Sequence, residues 1–328
     1  MEKVLVTGGG GFLGTEICKQ LKDKGYDVTS YSRKSYPHLS KMGIRCMQGS
    51  VTSREDLGYA MKGKDAVIHT AALAGVWGRH KDFYDANVVG TQNVLDVMET
   101  LGIPRLVYTS SPSVVFAGKD ITGQSEEELS YPTQSMGSYP DTKVEAEKRV
   151  LATHGKKNFV SVAIRPHHIL GSGDPHFLPR IKEKAKRGML KKVGDLNNMI
   201  DVTYVGNAAL AHILALEALT PRSPLGGKAY FVAQERPVNL WEFVDTMIDK
   251  FGLPAIKGRI SFQTAWILGI TLETVYRTLG IYKKEPPMTR LIAFSTARSH
   301  YFSHAAAKRD FGYIPRVSLE ECMQKIMR

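Results

Sequence analysis

Thr7-Gly8-Gly9-Gly10-Gly11-Phe12-Leu13-Gly14 follows directly on the apolar run Val4-Leu5-Val6. Because Ile17 and Leu21 continue at helical spacing, the segment predicts a strand, a tight glycine turn and a helix. In parallel α/β sheets such a turn holds a dinucleotide, since the helix N-terminus presents free N–H groups and a partial positive charge to the pyrophosphate. Glycine is needed where a Cβ would hold the backbone away from the phosphate. Two registers fit, Gly9/Gly11/Gly14 as G-x-G-x-x-G and Gly8/Gly11/Gly14 as G-x-x-G-x-x-G.

Strand and helix patterns alternate from this turn to Pro166, with a long helix predicted from Lys81 to about Glu99 and a polar loop over Gly118–Ser138. This alternation predicts an α/β fold, a doubly wound parallel sheet of Rossmann type. After Pro166 prolines and glycines interrupt the pattern, and a strand is predicted again at 229–232. We therefore expect a Rossmann domain over 1–166, completed by elements around 199–233. A smaller, mostly helical substrate-binding or lid domain is expected over 167–198 and 234–328.

The end of the second predicted strand indicates which dinucleotide is bound. An Asp or Glu at this place would accept a hydrogen bond from a free ribose 2′-hydroxyl and favour NAD. The chain has Ser32-Arg33-Lys34 instead, a hydroxyl and two cations that suit a 2′-phosphate. The sequence therefore predicts NADP(H), although Arg33 and Lys34 also fit ordinary surface charges.

Composition limits the classes of partner. The chain has 328 residues and a net charge of +12, but its lysines and arginines are scattered and no basic run alternates with aromatic residues. This pattern argues against nucleic-acid binding. Cys18, Cys46 and Cys322 are widely spaced, and the first strand is predicted from residue 3 without a preceding signal sequence. Both features are typical of a cytoplasmic protein.

The stretch 260–272 carries no charged residue. It is shorter than the roughly 20 apolar residues that a membrane-spanning helix needs. Three interpretations remain open at this stage: packing in the core, a lid over an apolar substrate, or a face that rests on a membrane. Membrane contact is accordingly expected to be peripheral at most.

Ser111, Tyr139 and Lys143 are the predicted catalytic residues. Ser111 follows the fifth predicted strand, and Tyr139 and Lys143 are four residues apart at the start of a helix, so they project from one face. A phenol that exchanges a proton near neutral pH needs stabilisation of its anion, which a nearby ammonium provides. In a ketone reduction Tyr139 would protonate the oxygen, Ser111 would hold it, and Lys143 would also bind the nicotinamide ribose.

In combination these motifs resemble the extended short-chain dehydrogenase/reductase family, together with Asn87-Val-x-Gly90-Thr91 and Arg165-Pro166. The segments Asp201-Val-Thr-Tyr204 and Phe311-Gly312-Tyr313 resemble its 3β-hydroxysteroid dehydrogenase branch. Three further stretches resemble the bacterial 2-alkyl-3-oxoalkanoate reductases of olefin biosynthesis, namely Ala74-Gly75-Val76-Trp77-Gly78, Thr109-Ser110-Ser111-Pro112-Ser113-Val114 and Glu285-Pro286-Pro287-Met288-Thr289-Arg290.

The resemblance implies an NADPH-dependent reduction of a hydrophobic β-keto acid with two long alkyl chains to the β-hydroxy acid. It also implies a homodimer, formed through the two long helices, and association with other enzymes of the olefin pathway. Together with the residues discussed above, it gives as the cofactor-binding set Gly8, Gly11, Phe12, Leu13, Gly14, Ser32, Arg33, Lys34, Ser50, Ala71, Ala72, Tyr139, Lys143, Pro166 and His168.

Three positions depart from the family pattern. Ser50 replaces an Asp that usually lies near the adenine, and Gly206 replaces a common Asp. Pro140 follows Tyr139 directly and disfavours helical backbone at the tyrosine, so we expect Tyr139 at the helix cap.

Two features of the site stay open in the sequence. The candidates to bind the substrate carboxylate are Arg79, His80, His167 and His168. No metal site is predicted, because His167, His168 and His176 beside Asp174 lack a fitting ligand spacing.

Two alternative functions are considered. One is a 3β-hydroxysteroid or sterol-4-carboxylate dehydrogenase, which a preference for NAD would favour. The other is a redox sensor that binds NADP(H) without turnover, against which the presence of Ser111, Tyr139 and Lys143 argues.

Overall fold

The computed structural model describes residues 1–156, 158–175 and 177–327. The rejected metal ligand His176 and the last residue of the predicted second domain, 328, lie outside these ranges. The strands, in chain order, are β1 Lys3–Thr7, β2 Asp27–Ser32, β3 Arg45–Gln48, β4 Ala66–His69, β5 Arg105–Thr109, β6 Ile121–Gln124, β7 Val160–Pro166, β8 Ile169–Leu170, β9 Lys192–Val193, β10 Met199–Ile200, β11 Thr203–Tyr204, β12 Ala229–Val232, β13 Val238–Asn239, β14 Arg259–Ile260 and β15 His300–Phe302.

The helices, in the same order, are α1 Phe12–Asp23, α2 Pro37–Lys41, α3 Arg54–Met61, α4 His80–Tyr84, α5 Gly90–Leu101, α6 Ser138–Leu151, α7 Phe177–Lys186, α8 Val205–Ala218, α9 Leu240–Lys250, α10 Phe262–Thr278, α11 Arg290–Ala297, α12 Ala305–Phe311 and α13 Leu319–Met327. A π-helical turn, Asp85–Val89, joins α4 to α5, and a 3₁₀ turn, Pro112–Val115, follows β5. Within the described ranges, no helix has the length and apolar character that crossing a membrane requires.

A seven-stranded parallel sheet forms the centre of the molecule, in the order β12-β7-β5-β4-β1-β2-β3. Its inner strands are buried along their whole length, as in β4, and therefore consist of apolar residues rather than alternating ones. Strand order reverses between β1 and β4, which pair directly. Ligands bind beside such a reversal, at the carboxyl ends of the strands. The predicted doubly wound sheet is confirmed.

Helices cover both faces of this sheet. On one face α1 and α8 contact each other, and Ile17, Leu21 and Ile213 share one apolar cluster with β1. On the other face α3, α5 and α6 contribute Leu57, Val94 and Val150 to a second cluster. The sequence predicted one helix over 81–99, whereas the structure has α4, the π-helical turn and α5.

The remaining strands form small sheets over one end of the central sheet. The largest of these has the order β13-β10-β15-β6. It includes β6, in a stretch that the sequence predicted to be a loop, and β6 pairs with β15 far along the chain. A third apolar cluster, around Trp241, Val244 and Ile181, joins α7 and α9 beneath this layer. The strand predicted at 229–232 is β12 and pairs with β7; the division into two domains stays a prediction.

Candidate functional site

One cavity of about 1110 Å³ lies at the carboxyl ends of the central strands. All the residues predicted to be catalytic or to bind the cofactor line it: Gly8, Gly11, Phe12, Leu13, Gly14, Ser32, Arg33, Lys34, Ser50, Ala71, Ala72, Ser111, Tyr139, Lys143, Pro166 and His168. The fold thus brings together residues that are up to 160 positions apart in the sequence (Gly8 and His168). Their individual roles stay predictions.

The glycine turn between β1 and α1 is closely packed against its surroundings. Gly8 has a φ of +71°, and a Cβ there would lie 2.8 Å from the backbone nitrogen of Ala71. A Cβ on Gly14 would lie 2.2 Å from the carbonyl oxygen of Gly8. Because Gly8 and Gly14 touch each other and Gly11 donates to the Gly8 carbonyl at 2.8 Å, the turn has the spacing Gly8-x-x-Gly11-x-x-Gly14.

The N-terminus of α1 is free to bind an anion. Its N-cap is Gly11, which has no side chain to accept from the first-turn N–H groups. Gly11, Phe12 and Leu13 all line the cavity. The turn therefore fits the diphosphate of a dinucleotide.

The cavity ends at the carboxyl terminus of β2 in a basic rim. Arg33 and Lys34 are exposed, and neither forms a salt bridge with any described residue. The hydroxyl of Ser32 already accepts from the N–H of Gly10 at 2.8 Å, so it orders the turn. Ser50 also lines the cavity, and its carbonyl accepts from the phenol of Tyr31. Two free cations at this place suit a phosphate better than a bare ribose.

Tyr139 lies inside α6, not at its cap. The helix begins at Ser138, and its N-cap is Gly137. Pro140 is tolerated because the N–H groups of the first turn have no partner inside the helix. The sequence-based expectation of a capping Tyr139 was therefore wrong by one to two residues. Tyr139 and Lys143 remain one turn apart on the same face.

Lys143 is buried, with 2% of its surface exposed. Its ammonium donates to the carbonyl oxygen of Thr109 at 2.6 Å and lies 4.2 Å from the centre of the Tyr108 ring. Burial lowers the pKa of Lys143 to about 7, while the nearby carboxylate of Glu147 acts in the opposite direction. A buried lysine that titrates near neutral pH is typical of a functional site.

The phenol of Tyr139 is protonated at neutral pH. Burial raises its pKa above the usual 10, and a hydrogen bond with the Ser111 side chain opposes this effect. Ser111 caps the 3₁₀ turn by accepting from the N–H of Ser113 at 3.2 Å. The Lys143 ammonium bonds the Thr109 carbonyl, and its predicted stabilisation of the phenolate stays a prediction.

A buried ion pair anchors the helix that carries these residues. Arg165 of β7 donates to Glu147 of α6, with Nε 2.9 Å and a terminal nitrogen 2.5 Å from the carboxylate oxygens. Tyr131 donates to the same carboxylate at 2.8 Å. Burial alone would raise the pKa of Glu147, but the guanidinium keeps it below its usual value. The pair fixes α6 against the sheet.

The loop after β4 is held in place by Asn87 of the π-helical turn. The Asn87 amide accepts from the N–H of Leu73 at 2.7 Å and donates to the Leu73 carbonyl at 3.0 Å. It also donates to Thr142 of α6. Because Leu73 is next to Ala71 and Ala72, this contact fixes the predicted cofactor-binding loop against the catalytic helix.

Three histidines cluster beside Pro166. His167 and His168 line the cavity and their rings stack 4.1 Å apart, and His300 of β15 lies behind them. His300 Nε2 donates to the Ser295 carbonyl, so its Nδ1 accepts from His167 Nε2 at 2.7 Å. Burial lowers the pKa of all three, to about 3 for His168. They are neutral at pH 7, and one ring nitrogen from each lies within 4.8 Å of the other two.

The end of the cavity away from the glycine turn is apolar with a basic margin. Its apolar wall includes Phe116, Phe177, Ile181, Leu190, Val193, Leu240, Trp241, Val244, Met288, Leu291 and Ile292. Arg180, Lys184 and Lys191 also line it. Of the candidates for carboxylate binding, His167 and His168 line the cavity, whereas Arg79 and His80 do not.

Sequence reasoning missed several of these residues. From the sequence, Arg180, Lys184 and Lys191 had no role beyond that of scattered charges. Nothing local to them indicates that α7 and the loop after it close the cavity. His300 and Glu147 carry no motif. For Glu147 a signal existed: it follows Tyr139 and Lys143 at helical spacing, so it extends their face of α6.

Residues 5–263 match the model of the 3-beta hydroxysteroid dehydrogenase/isomerase family. The chain is 41% identical over 325 residues to the 2-alkyl-3-oxoalkanoate reductase of Stenotrophomonas maltophilia (strain K279a), covering 99% of this chain and 98% of that protein. It is 40% identical over 328 residues to the Shewanella oneidensis protein of the same name, covering 98% of this chain and 84% of that one. Identity to the decarboxylating sterol-4-alpha-carboxylate 3-dehydrogenase of Mus musculus is 32% over 330 residues, covering 100% and 90%.

Solved structures share the architecture. The epimerase Mth375 of Methanothermobacter thermautotrophicus superposes with a TM-score of 0.78 at 21% identity, covering 100% of this chain and 91% of that one. The UDP-glucose 4-epimerase of Thermus thermophilus, solved in complex with NAD, gives 0.75 at 20% identity and covers 99% and 97%. At these identities the likeness shows the fold alone.

Proposed function

The chain belongs to the 3-beta hydroxysteroid dehydrogenase/isomerase family and is an oxidoreductase of the short-chain dehydrogenase/reductase type, and we propose that it reduces long-chain 2-alkyl-3-oxoalkanoates with NADPH. The product is the 2-alkyl-3-hydroxyalkanoate. One observation carries this proposal: a single cavity connects the glycine turn, the Ser111–Tyr139–Lys143 group and an apolar wall. The full-length similarity to 2-alkyl-3-oxoalkanoate reductases points to the same substrate class.

NADP(H) fits the residues that line the cavity. The glycine turn offers backbone N–H groups to the diphosphate, and a Cβ on Gly8 or Gly14 would collide with neighbouring backbone. Arg33 and Lys34 would hold the 2′-phosphate, since no described acidic residue pairs with them. Ala71, Ala72 and Pro166 border the middle of the cavity, where the nicotinamide half would lie. When bound, NADPH supplies the hydride that the carbonyl carbon receives.

The protein's own residues supply the proton and the orientation. Tyr139 donates its phenolic proton to the ketone oxygen as the carbon is reduced, and Ser111 donates a hydrogen bond to the same oxygen. The raised pKa of Tyr139 keeps this acid protonated at neutral pH, which suits reduction, whereas oxidation of an alcohol would need the phenolate. Lys143, which lines the same cavity, would bind the nicotinamide ribose.

The substrate class follows from the far end of the cavity. Aliphatic and aromatic side chains there would bury two alkyl chains, each methylene contributing about 0.8 kcal/mol. The neutral His168 would donate a hydrogen bond to a carboxylate near the ketone, whereas His167 already donates its one N–H to His300. A decarboxylating sterol dehydrogenase has its support in the 32% identity to such enzymes and would share the same wall.

The assay that tests this proposal follows NADPH absorbance with a panel of 2-alkyl-3-oxoalkanoates, 3-oxosteroids and UDP-sugars, and NADH in parallel. We expect turnover of the branched 3-oxo acids with NADPH. Oxidation of sterol-4-carboxylates with NAD, with no reduction of 3-oxo acids, would establish the sterol dehydrogenase instead. NADPH binding without turnover of any member would favour the redox-sensor alternative.

We also propose how the protein assembles and where in the cell it acts. The resemblance described for the sequence supports a homodimer through the helices α5 and α6, and a role in olefin biosynthesis beside other enzymes of that pathway. Free cysteines at positions 18, 46 and 322 are compatible with the reducing cytoplasm. Sedimentation velocity of the purified protein measures the first of these points directly.

A further inference from the structure

Helix α10 exposes an apolar face to solvent. Ile267, Leu268, Ile270 and Val275, with Leu279 directly after the helix, are each between 41% and 66% exposed. We call these five residues the outer face of α10. Scattered exposed apolar residues are ordinary, but a contiguous group on one helix marks an interaction surface.

The opposite face of α10 is fixed to the molecule. Gly269 lies against the backbone of Thr289 and Arg290, where a Cβ would approach to 2.8 Å. The buried carboxylate of Glu273 accepts from the N–H of Arg290 at 2.7 Å and from its side chain at 3.1 Å. These contacts hold α10 against α11 and leave its outer face turned to solvent.

The exposed threonines on the outward side bond the helix backbone with their hydroxyls. The hydroxyls of Thr271, Thr274 and Thr278 donate to carbonyl oxygens of the helix itself, at 3.0, 2.8 and 2.9 Å. Each threonine therefore has its hydroxyl hydrogen bonded internally, which lowers the penalty for leaving water. The sole carboxylate of α10 is the buried Glu273. The one cation of α10, Arg277, is exposed, pairs with the Glu273 carboxylate at 3.1 Å and lies over the Trp77 ring at 5.6 Å, beside the C-terminal end of the helix.

An aromatic and basic rim borders the C-terminal end of α10. The Trp77 indole donates to the Ile281 carbonyl at 2.9 Å and stacks on Tyr282, with the rings 6.1 Å apart. Arg79 lies over the Tyr282 ring at 5.7 Å. Lys283 and Lys284 are exposed, and neither forms a salt bridge within the described ranges. Trp, Tyr and lysine are the residues that anchor helices at a membrane–water boundary.

We propose that the outer face of α10 docks the protein on the surface of an anionic lipid bilayer, with the helix lying parallel to the membrane. The rim favours this occupant. Anionic headgroups attract Arg79, Lys283 and Lys284, and each such cation adds to binding within a Debye length. A two-fold contact with a second copy through the same face would instead bring like charges of both copies toward one another.

Docking through α10 would bring the cavity close to substrate dissolved in the membrane. This step of the inference rests on the proposed function. Helix α11 packs directly on α10, and its Leu291 and Ile292 line the cavity, as does the preceding Met288. The bilayer would therefore lie one helix layer from the apolar wall. A substrate with two long alkyl chains partitions into lipid, so a docked enzyme meets it at high local concentration.

The test is co-flotation of the full chain with vesicles of 70% phosphatidylethanolamine and 30% phosphatidylglycerol, and with phosphatidylcholine vesicles. We expect binding to the anionic vesicles that weakens at high salt. The variant I267Q/L268Q/I270Q should lose binding by about tenfold or more, because its buried apolar area is removed. K283Q/K284Q should lose the part of vesicle binding that weakens at high salt. L101Q/I314Q, which removes exposed apolar residues elsewhere, should bind like the wild type.

Controls separate folding and reduction from docking. Thermal unfolding checks each variant, and L279Q, outside the helix, replaces the triple variant if that one does not fold. Turnover of a short, water-dispersed 3-oxo acid should be unchanged in all variants, so a failed function assay does not affect the docking result. The proposal is overturned if the wild type binds no vesicle or if the α10 variants bind as well as the wild type. It is also overturned if the wild type is a dimer that I267Q/L268Q/I270Q converts to a monomer.

Discussion

At the residue scale, Tyr139 carries the proton of the proposed reduction. Replacing it with phenylalanine keeps the ring packed against Phe83, whose centroid lies 6.5 Å away, and removes only the hydroxyl. We expect Y139F to lower kcat by roughly 10² to 10⁴ while NADPH still binds. Stopped-flow NADPH oxidation and NADPH fluorescence measure the two effects. The control is Y84F, a tyrosine that does not line the cavity; wild-type turnover in Y139F would refute the catalytic assignment.

Lys143 makes the stability of the fold depend on pH. Its pKa is lowered from 10.5 to about 7 by burial, so between these values the unfolded chain binds more protons than the folded one. The penalty of the buried charge is therefore complete below about pH 7 and disappears as the pH rises toward 10.5. We expect K143M to raise Tm relative to the wild type most at pH 6 and least near pH 10. K148M, an exposed lysine of the same helix, should show no such trend; a difference in Tm that is independent of pH would contradict the lowered pKa.

Arg33 decides between the two dinucleotides in our proposal. The change R33D replaces a cation that suits a 2′-phosphate with a carboxylate that repels it and accepts from a ribose hydroxyl. We expect the ratio of kcat/KM for NADPH over NADH to fall by roughly tenfold to a hundredfold, since such contacts are worth about 1.5–3 kcal/mol. K22D, with the same change of charge on the exposed side of α1, is the matched control. An unchanged ratio in R33D would remove the case for NADP(H).

Local spacing was enough to predict that Tyr139, Lys143 and the glycine turn line one site, because each motif lies within one turn or one helix. It could not reveal that Lys143 donates to Thr109, that His300 supports His167, or that Lys184 reaches the cavity. The first two contacts join residues that are 34 and 133 positions apart, and all three depend on how the layers pack. The expected capping Tyr139 failed for a different reason, because the first turn of α6 tolerates Pro140.

At the scale of elements, the turn between β1 and α1 depends on a close contact between the backbones of Gly8 and Gly14. G14A would place a Cβ 2.2 Å from the Gly8 carbonyl, so α1 must move away from β1. We expect a loss of about 1–3 kcal/mol in stability and a weaker Kd for NADPH, measured by denaturant unfolding and fluorescence titration. G58A in α3, where no atom lies within 4 Å of the new Cβ, should be neutral or stabilising. If both variants behave alike, the packing argument for the turn fails.

Helix periodicity predicted the 81–99 segment but not its interruption. The π-helical turn 85–89 inserts one residue into the helical repeat, which is how Asn87 reaches both polar groups of Leu73. The apolar residues keep the 3.6-residue spacing on both sides of such a turn, so their pattern does not reveal it. The 118–138 segment was missed for a related reason, since β6 is short and exists through its pairing with β15.

At the scale of the whole molecule, the cavity combines the sheet edge with the C-terminal helices. If its far wall binds alkyl chains, kcat/KM should rise roughly fourfold per methylene, from about 0.8 kcal/mol each, until the wall is covered. A series of 2-alkyl-3-oxoalkanoates of increasing length measures this slope. L291Q should flatten it, whereas I314Q, an exposed residue outside the cavity, should leave it unchanged. A slope near zero in the wild type would exclude alkyl chains from this wall.

The first half of the chain was easier to predict than the second. Up to Pro166 every strand except β6 belongs to the central parallel sheet, so the alternation of strands and helices was enough to predict that sheet. After it, two-residue strands such as β8, β10 and β11 form only where distant segments meet. The uncharged stretch around α10 illustrates the limit: composition could not tell a core helix from an outward one, because that depends on Gly269 and Glu273 fixing the other face.

The Arg165–Glu147 pair has an evolutionary consequence. Removing either partner would leave a lone charge in the interior, which typically destabilises a protein by about 3–5 kcal/mol, whereas replacing both with apolar side chains is often tolerated. Neither site can therefore drift alone without unfolding the helix that bears the reactive phenol. We expect descendants of this sequence to keep both residues or to exchange them together, as linked changes in a single lineage.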